Sequence, residues 1–191
     1  MGKLTEIRWH GRAGQGVVTA GELLAQTALD DGKYFQAFPD YGPERMGAPI
    51  RAFTRISDSP IYTYCAVVNP DAVVVTDATL LGVVDVTEGL KEDGVLVVNT
   101  KLSPQEVRRK LKYDQAKIFT VDATTIALEA LGKNITNTPM IGALLRASSA
   151  LIDKDAVERE IKKRLSGKFS SAVVEANLRA FQLGYDRAQQ G

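Results

Sequence analysis

Apolar and polar positions alternate along "LTEIRW" (residues 4–9), the pattern of a strand with one buried face. In "VVTAGELLAQTALDDG" (17–32) the period lengthens to that of a helix, which the sequence stops at Gly32. A strand, a glycine loop and a helix are therefore predicted at the amino end. "YFQAF" (34–38) predicts a short second strand, and "PDYGPERMGAP" (39–49), with three prolines and two glycines, predicts a loop. "IRAFTRI" (50–56) alternates again, with Ile50, Ala52, Thr54 and Ile56 on one face and Arg51, Phe53 and Arg55 on the other. After the turn "SDSP", the run "IYTYCAVV" (61–68) reads as a returning arm, so residues 50 to 68 predict an antiparallel hairpin.

Beyond residue 70 the pattern changes. "DAVVVTD" (71–77), "GVLVVNT" (94–100) and "AKIFTVD" (116–122) are continuous β-branched runs, as expected of strands covered on both faces. "SPQEVRRKLKY" (103–113) opens with Ser103 as N-cap, Pro104 behind it and Glu106 completing a capping box. From Asp122 onward four helices follow: "ATTIALEALGKN" ending at Gly132, "TPMIGALLRASSAL" capped by Thr138 with Pro139 behind it, "DKDAVEREIKKRLSG", and "SSAVVEANLRAFQLGYDRAQQ". Strands alternating with helices at this spacing imply an α/β fold. The expectation is one domain over residues 1–191: a three-layer α/β/α arrangement with a mixed, mostly parallel sheet, the antiparallel hairpin and a helical C-terminal portion.

Composition removes several classes of function. Lysine and arginine number 24 against 23 aspartate and glutamate, so the chain lacks the basic field that non-specific nucleic-acid binding requires. No apolar run approaches the roughly 20 residues of a membrane span, and the amino end lacks the apolar segment of a signal peptide. Met1-Gly2 suggests myristoylation, but Glu6 stands where that motif wants Ser or Thr. A cytoplasmic protein with neither nucleic acid nor membrane as partner is expected. One cysteine, Cys65, excludes an intrachain disulfide and a four-thiolate iron–sulfur cluster, and one histidine, His10, leaves little for a metal site. No metal ligand and no catalytic residue is assigned. A Ser-His-Asp or Cys-His arrangement would have to use His10, and no G-x-S-x-G elbow is present. Asp77 and Asp122 follow buried strands and read as caps of the next helices, and Cys65 reads as an inert buried thiol.

Two loops hold the candidate chemistry. The first, "GRAGQG", offers Gly11, Arg12, Gly14, Gln15 and Gly16 ahead of a helix whose first amide N–H groups are unpaired, a place for an anion or for an opposing loop's carbonyls. It fails the dinucleotide fingerprint twice. Ala13 stands where the second glycine lets pyrophosphate approach, and "YFQAF" ends in Phe38 where an acid would hold the ribose. The phosphate-loop motif also fails, since Val17 and Val18 follow Gly16. Glycines needed only for turn geometry and close packing remain the plain alternative. The second loop carries Tyr41, Glu44 and Arg45, together with Asp40 and Met46, between prolines that lower its entropy loss on docking. Tyr, Arg and Met are enriched at protein interfaces.

Taken together, and about 25 residues apart, "GRAGQG" and "FPDYGPERMGAPIRAFTRI" resemble the gamma subunits of 2-oxoacid:ferredoxin oxidoreductases, the Gly-Ala-Pro ending being most similar to the pyruvate enzymes. "NPDAVVVTDATLL", "NTPMIGALLRA" and "EANLRAFQLGYD" extend the resemblance from Glu6 to about Asp186. The family's loop commonly reads G-x-G-G-Q-G, and Ala13 departs from it. The resemblance implies a non-catalytic subunit of an enzyme that converts pyruvate and coenzyme A to acetyl-CoA and CO2 while reducing ferredoxin, reversibly. It implies alpha, beta and delta subunits as partners, and ferredoxin through the complex. Thiamine diphosphate, Mg2+ and [4Fe-4S] clusters would lie on those companions, and no cofactor is expected on this chain alone. The two loops would form one surface near the thiamine site, with Arg12 or Arg45 toward coenzyme A or a partner carboxylate. A free-standing nucleotide- or NAD-binding protein and a purely structural assembly subunit stay open as alternatives.

Overall fold

The computed structural model describes residues 3–40, 47–148 and 151–191. In chain order the first half contains β1 (Leu4–Arg12), α1 (Val17–Asp30), β2 (Tyr34–Asp40), β3 (Pro49–Ser57), β4 (Ala72–Val75) and a short 3-10 turn over Ala78–Leu80. The second half contains β5 (Val95–Asn99), α2 (Pro104–Leu111), β6 (Lys117–Val121), α3 (Ala123–Leu131), α4 (Asn137–Ala147), α5 (Lys154–Leu165), α6 (Ser171–Arg187) and β7 (Gln189–Gln190).

One seven-stranded sheet runs through the molecule in the order β2-β3-β1-β4-β5-β6-β7. β1, β4, β5 and β6 are mutually parallel, whereas β2 and β3 on one side and β7 on the other pair antiparallel. The sheet is thus mixed, with its parallel part at the centre. The antiparallel hairpin is formed by β2 and β3, not by the two halves of residues 50–68. Both edges of β3 are already taken, by β1 and by β2, so "IYTYCAVV" cannot form the expected hairpin with β3 and lies outside the sheet. Cys65 is consequently exposed and not buried within a strand.

Two apolar clusters sandwich the parallel part. On one face Ile7, Trp9, Val74, Val97 and Phe119 pack beneath α1, α3, α4, α5 and α6. On the other Val73, Val75, Leu96, Val98 and Ile118 pack beneath Leu80, Leu90 and Val107 of α2. Consecutive residues of one strand therefore enter different clusters, which explains why β4 and β5 are apolar without alternation. Each fully buried branched side chain contributes on the order of 1.5–3 kcal/mol.

Helix boundaries follow the caps closely. Ser103 and Glu106 close the capping box on α2, Asp122 accepts from Thr125 N–H at 3.0 Å to start α3, and Asp153 accepts from Ala156 N–H at 3.2 Å to start α5. The N-cap of helix α4 is Thr136, two residues before Thr138, and the Asn137 carboxamide takes up the Thr138 N–H. The two C-terminal segments that carry the family likeness meet each other. A Cβ on Gly142 of α4 would collide with the Phe181 carbonyl of α6, and one on Gly184 of α6 with the Pro139 carbonyl of α4, so the two backbones approach where only glycine fits. No helix is long and apolar enough to cross a membrane among the described residues.

Candidate functional site at the carboxyl edge of the sheet

The chain leaves β1 toward α1 on one face and leaves β4 toward the 3-10 turn on the other. A crevice opens between such strands at their carboxyl ends, the usual place for ligands in open α/β sheets. Here that crevice is built by the first glycine loop. Gly11 ends close to Val17 and Thr76, which any Cβ at that position would strike. Gly16, at φ 73°, turns the chain into α1 as its N-cap, with no side chain capping the first amides.

Polar side chains then bind the loop to its neighbours. The Gln15 carboxamide accepts from Arg12 N–H at 2.9 Å and from the Thr76 hydroxyl at 3.2 Å, and donates to Asp77 at 2.9 Å. Arg12 donates through Nε to Asp77 and Thr79, both at 3.2 Å, through Nη2 to Thr79 at 2.8 Å, and through Nη1 to the Gly47 carbonyl at 2.8 Å. Ala13 N–H reaches the Ala48 carbonyl at 3.2 Å. The described end of the second loop therefore lies directly on the first. Asn99 completes the crevice by donating to the Thr76 carbonyl at 2.8 Å and the Thr124 hydroxyl at 3.0 Å.

The resulting cavity, about 240 Å3, is lined by hydroxyls, carboxamides and one carboxylate: Gln15, Thr76, Asp77, Thr79, Asn99, Thr124, Asn134 and Thr136. Burial alone would raise the Asp77 pKa, but hydrogen bonds from Thr79 and Gln15 and the charge of Arg12 outweigh it, so the group stays anionic below the usual carboxylate range. A pyrophosphate entering here would face this carboxylate, and the guanidinium beside it is already spent. Geometry thus adds to the two departures from the dinucleotide fingerprint.

His10 lies on the other side of β1, 3% exposed. Burial, then the charges of Arg8 and Arg51, push its pKa down to about 3. Arg8 Nε donates to His10 Nε2 at 3.1 Å, so the neutral ring carries its proton on Nδ1. Among the described residues no hydroxyl or thiol hydrogen-bonds the ring. Among the described residues no group of three or more His, Cys, Asp or Glu is placed to hold a metal ion.

Gly11, Arg12, Gly14, Gln15 and Gly16 thus sit together in one hydrogen-bonded loop, while Tyr41, Glu44 and Arg45 lie outside the described residues. Sequence reasoning missed Thr76, Thr79, Asn99, Thr124, Asn134 and Thr136. The available signal was a polar residue closing each of the first two buried β-branched runs, at Thr76 and Asn99. Asp77 was read as a cap, and it does accept from Thr79 N–H at 2.9 Å, but it also anchors Arg12 and Gln15.

The fold is an open α/β sheet whose carboxyl edge is polar and internally hydrogen-bonded. The chain belongs to the pyruvate ferredoxin/flavodoxin oxidoreductase family, whose model matches residues 6–187. It is 50% identical over 187 residues to the pyruvate synthase subunit PorC of Thermotoga maritima, covering 98% of this chain and 96% of that protein. It is 51% identical over 179 residues to the pyruvate/ketoisovalerate oxidoreductases common subunit gamma of Pyrococcus abyssi, covering 94% and 96%. The crystal structure of the Thermotoga maritima pyruvate oxidoreductase subunit PORC superposes with a TM-score of 0.88 at 48% identity, over 99% of each chain.

Proposed function

We propose that this chain is the gamma subunit of a multisubunit pyruvate:ferredoxin oxidoreductase, completing the enzyme without holding its reaction centre. The observation that carries this reading is identity of about half over nearly the full length of chains named as such subunits, at matching length and fold. A single cysteine agrees with it, since an iron–sulfur cluster takes four thiolates and these must come from companion chains. Thiamine diphosphate with Mg2+, the [4Fe-4S] clusters and the alpha, beta and delta subunits belong to this reading as parts of the whole complex.

Within it, the loop Gly11–Gly16 and residues 47–49 form one face that docks toward the thiamine-bearing subunits. The uncapped amides at the start of α1 and the hydroxyl and carboxamide lining of the crevice suit a partner's polar backbone. Arg12 holds the two loops in register and does not reach outward, because its guanidinium is bonded to Asp77, Thr79 and Gly47. The coenzyme A contact is assigned to Arg45 on the sequence motif, residues 41–46 lying outside the described residues.

Co-expression with the companion subunits, followed by size-exclusion chromatography and an assay of pyruvate- and coenzyme A-dependent ferredoxin reduction, tests the reading. A complex that retains the chain and loses activity without it is expected, and full activity without the chain overturns the proposal. In that complex Arg45→Ala should raise KM for coenzyme A with kcat kept. Unchanged kinetics removes the coenzyme A contact and leaves docking alone.

A further inference from the structure

Strand β2 is the outermost strand of the sheet, and its second edge is unpaired among the described residues. Seven residues of open strand are long for an edge, and between Tyr34 and Phe38 this one carries none of the charges that usually discourage pairing. Tyr34 and Phe35 are both exposed.

Beside that edge, on the α1 face, lies a groove of about 650 Å3 floored by Phe35 and Ala37 of β2 and walled by Glu22 and Gln26 of α1 and by Glu160 and Arg164 of α5. Two of the three cations that line it are engaged, and the third, Lys168, forms no ion pair among the described residues. Lys163 donates to Asp30 at 2.7 Å and Arg164 to Glu22 at 3.3 Å. Glu160 is different: its side chain is 5% exposed, and among the described residues its buried Oε2 accepts no hydrogen bond and has only a loose ion pair with Lys163 Nζ at 3.6 Å. A buried carboxylate oxygen left unbonded costs more than a bonded one gains, so this atom is a standing demand for a donor.

We propose that β2 and this groove receive an extended segment of a companion subunit, which adds an eighth strand to the sheet and directs a lysine or arginine side chain to Glu160. Backbone pairing along an open edge supplies affinity, and a pocket for an alternate side chain supplies selectivity. A second copy of β2 does not meet the demand. Its residues on the groove face are Phe35, Ala37 and Pro39, by the register that sets them opposite Ile56, Thr54 and Ala52, and none of them carries a donor. The proposal rests on the chain being a subunit of a larger complex.

Hydrogen exchange of the full chain, free and in the assembled complex, reads the edge directly. The amides of residues 34–38 and 40 that point away from β3 should slow in the complex by at least about tenfold. A photoreactive residue at Ala37 should cross-link to a companion subunit within a lysine- or arginine-containing segment. Glu160→Gln and Glu160→Leu, each checked for an intact fold by circular dichroism of the free chain, should weaken assembly by at least about tenfold. Equal exchange of β2 in free and assembled chain, cross-links only between copies of this chain, or wild-type assembly by both variants overturns the proposal and leaves the subunit reading standing. A chain that associates with no companion overturns both.

Discussion

The two halves of the sheet differ in what covers them. β4, β5 and β6 are sealed by apolar residues on both faces, so that Val73 and Val74, adjacent in sequence, are each fully buried in a different cluster. β1 and β3 have one apolar face, with Ile7, Trp9, Ala52 and Ile56, and one face where ions and dipoles surround the aromatic pair Phe53 and Phe38. On that second face Arg55 donates to Glu6 at 2.8 Å and to Gln36 at 3.2 Å. Arg8 donates to His10, to the Val86 carbonyl at 3.3 Å and to the Glu88 carbonyl. The segment crossing it presents Tyr62 and Tyr64 to solvent, at 81% and 84% exposure. The difference teaches a division of labour. The parallel half stores stability in non-directional burial, and the antiparallel half stores it in directional bonds that also fix an outward-facing surface.

Substitutions should separate the halves, and the largest effect belongs to the parallel one. Leu96→Ala removes a fully buried side chain and should cost about 2–5 kcal/mol in denaturant unfolding, with no dependence on salt. A loss below about 1 kcal/mol would break the contrast. Glu6→Gln leaves the Arg55 side chain, 1% exposed, without its anion and should cost about 2–3 kcal/mol, reduced from the fully buried case because Glu6 is 20% exposed. The double change Glu6→Leu with Arg55→Met should recover most of that loss, and failure to recover would show that shape, not charge, holds this face.

Acidity offers a third test. The folded pKa of His10, about 3, lies below the ordinary unfolded value, so between them the unfolded chain binds the extra proton and stability rises with pH. The chain should therefore lose about 2 kcal/mol on going from pH 7 to pH 5 through this group. His10→Gln should flatten that slope in urea titrations across the same range. The smallest effect is expected at Arg12, 29% exposed: Arg12→Ala should cost about 1 kcal/mol, while exchange at Ala13, whose N–H bonds Ala48, speeds up. Unaltered exchange there would mean that the two loops are held together by something other than this guanidinium.

Much of this was legible in the residues. The β-branched runs, the capping box at Ser103 and the helix starting at Val17 are local signals, decided within a few residues by backbone geometry and burial. The glycine loop was legible for the same reason. The placement of 61–68 was not, because its apolar run satisfies the same local rule as a strand, and only the occupancy of both β3 edges excludes it. Nor was β7, two residues long, whose pairing with β6 depends on where α6 ends. The crevice partners Thr76, Asn99, Thr124 and Asn134 come from four separate segments, and nothing in any one of them marks the others.

The sequence alone therefore determined the α/β class, the strands covered on both faces, the family and the two loops, since periodicity, capping and motif order are written in neighbouring residues. Only the tertiary structure decided that Arg12 is turned inward, that Cys65 is exposed, that His10 stays neutral, and that Glu160 is buried beside an open strand edge without a donor. Those properties depend on distances between residues up to 138 positions apart, such as Ala37 of β2 and the groove wall residue Glu22 of α1 against Glu160 of α5, and burial and electrostatics follow those distances, not the order of residues along the chain.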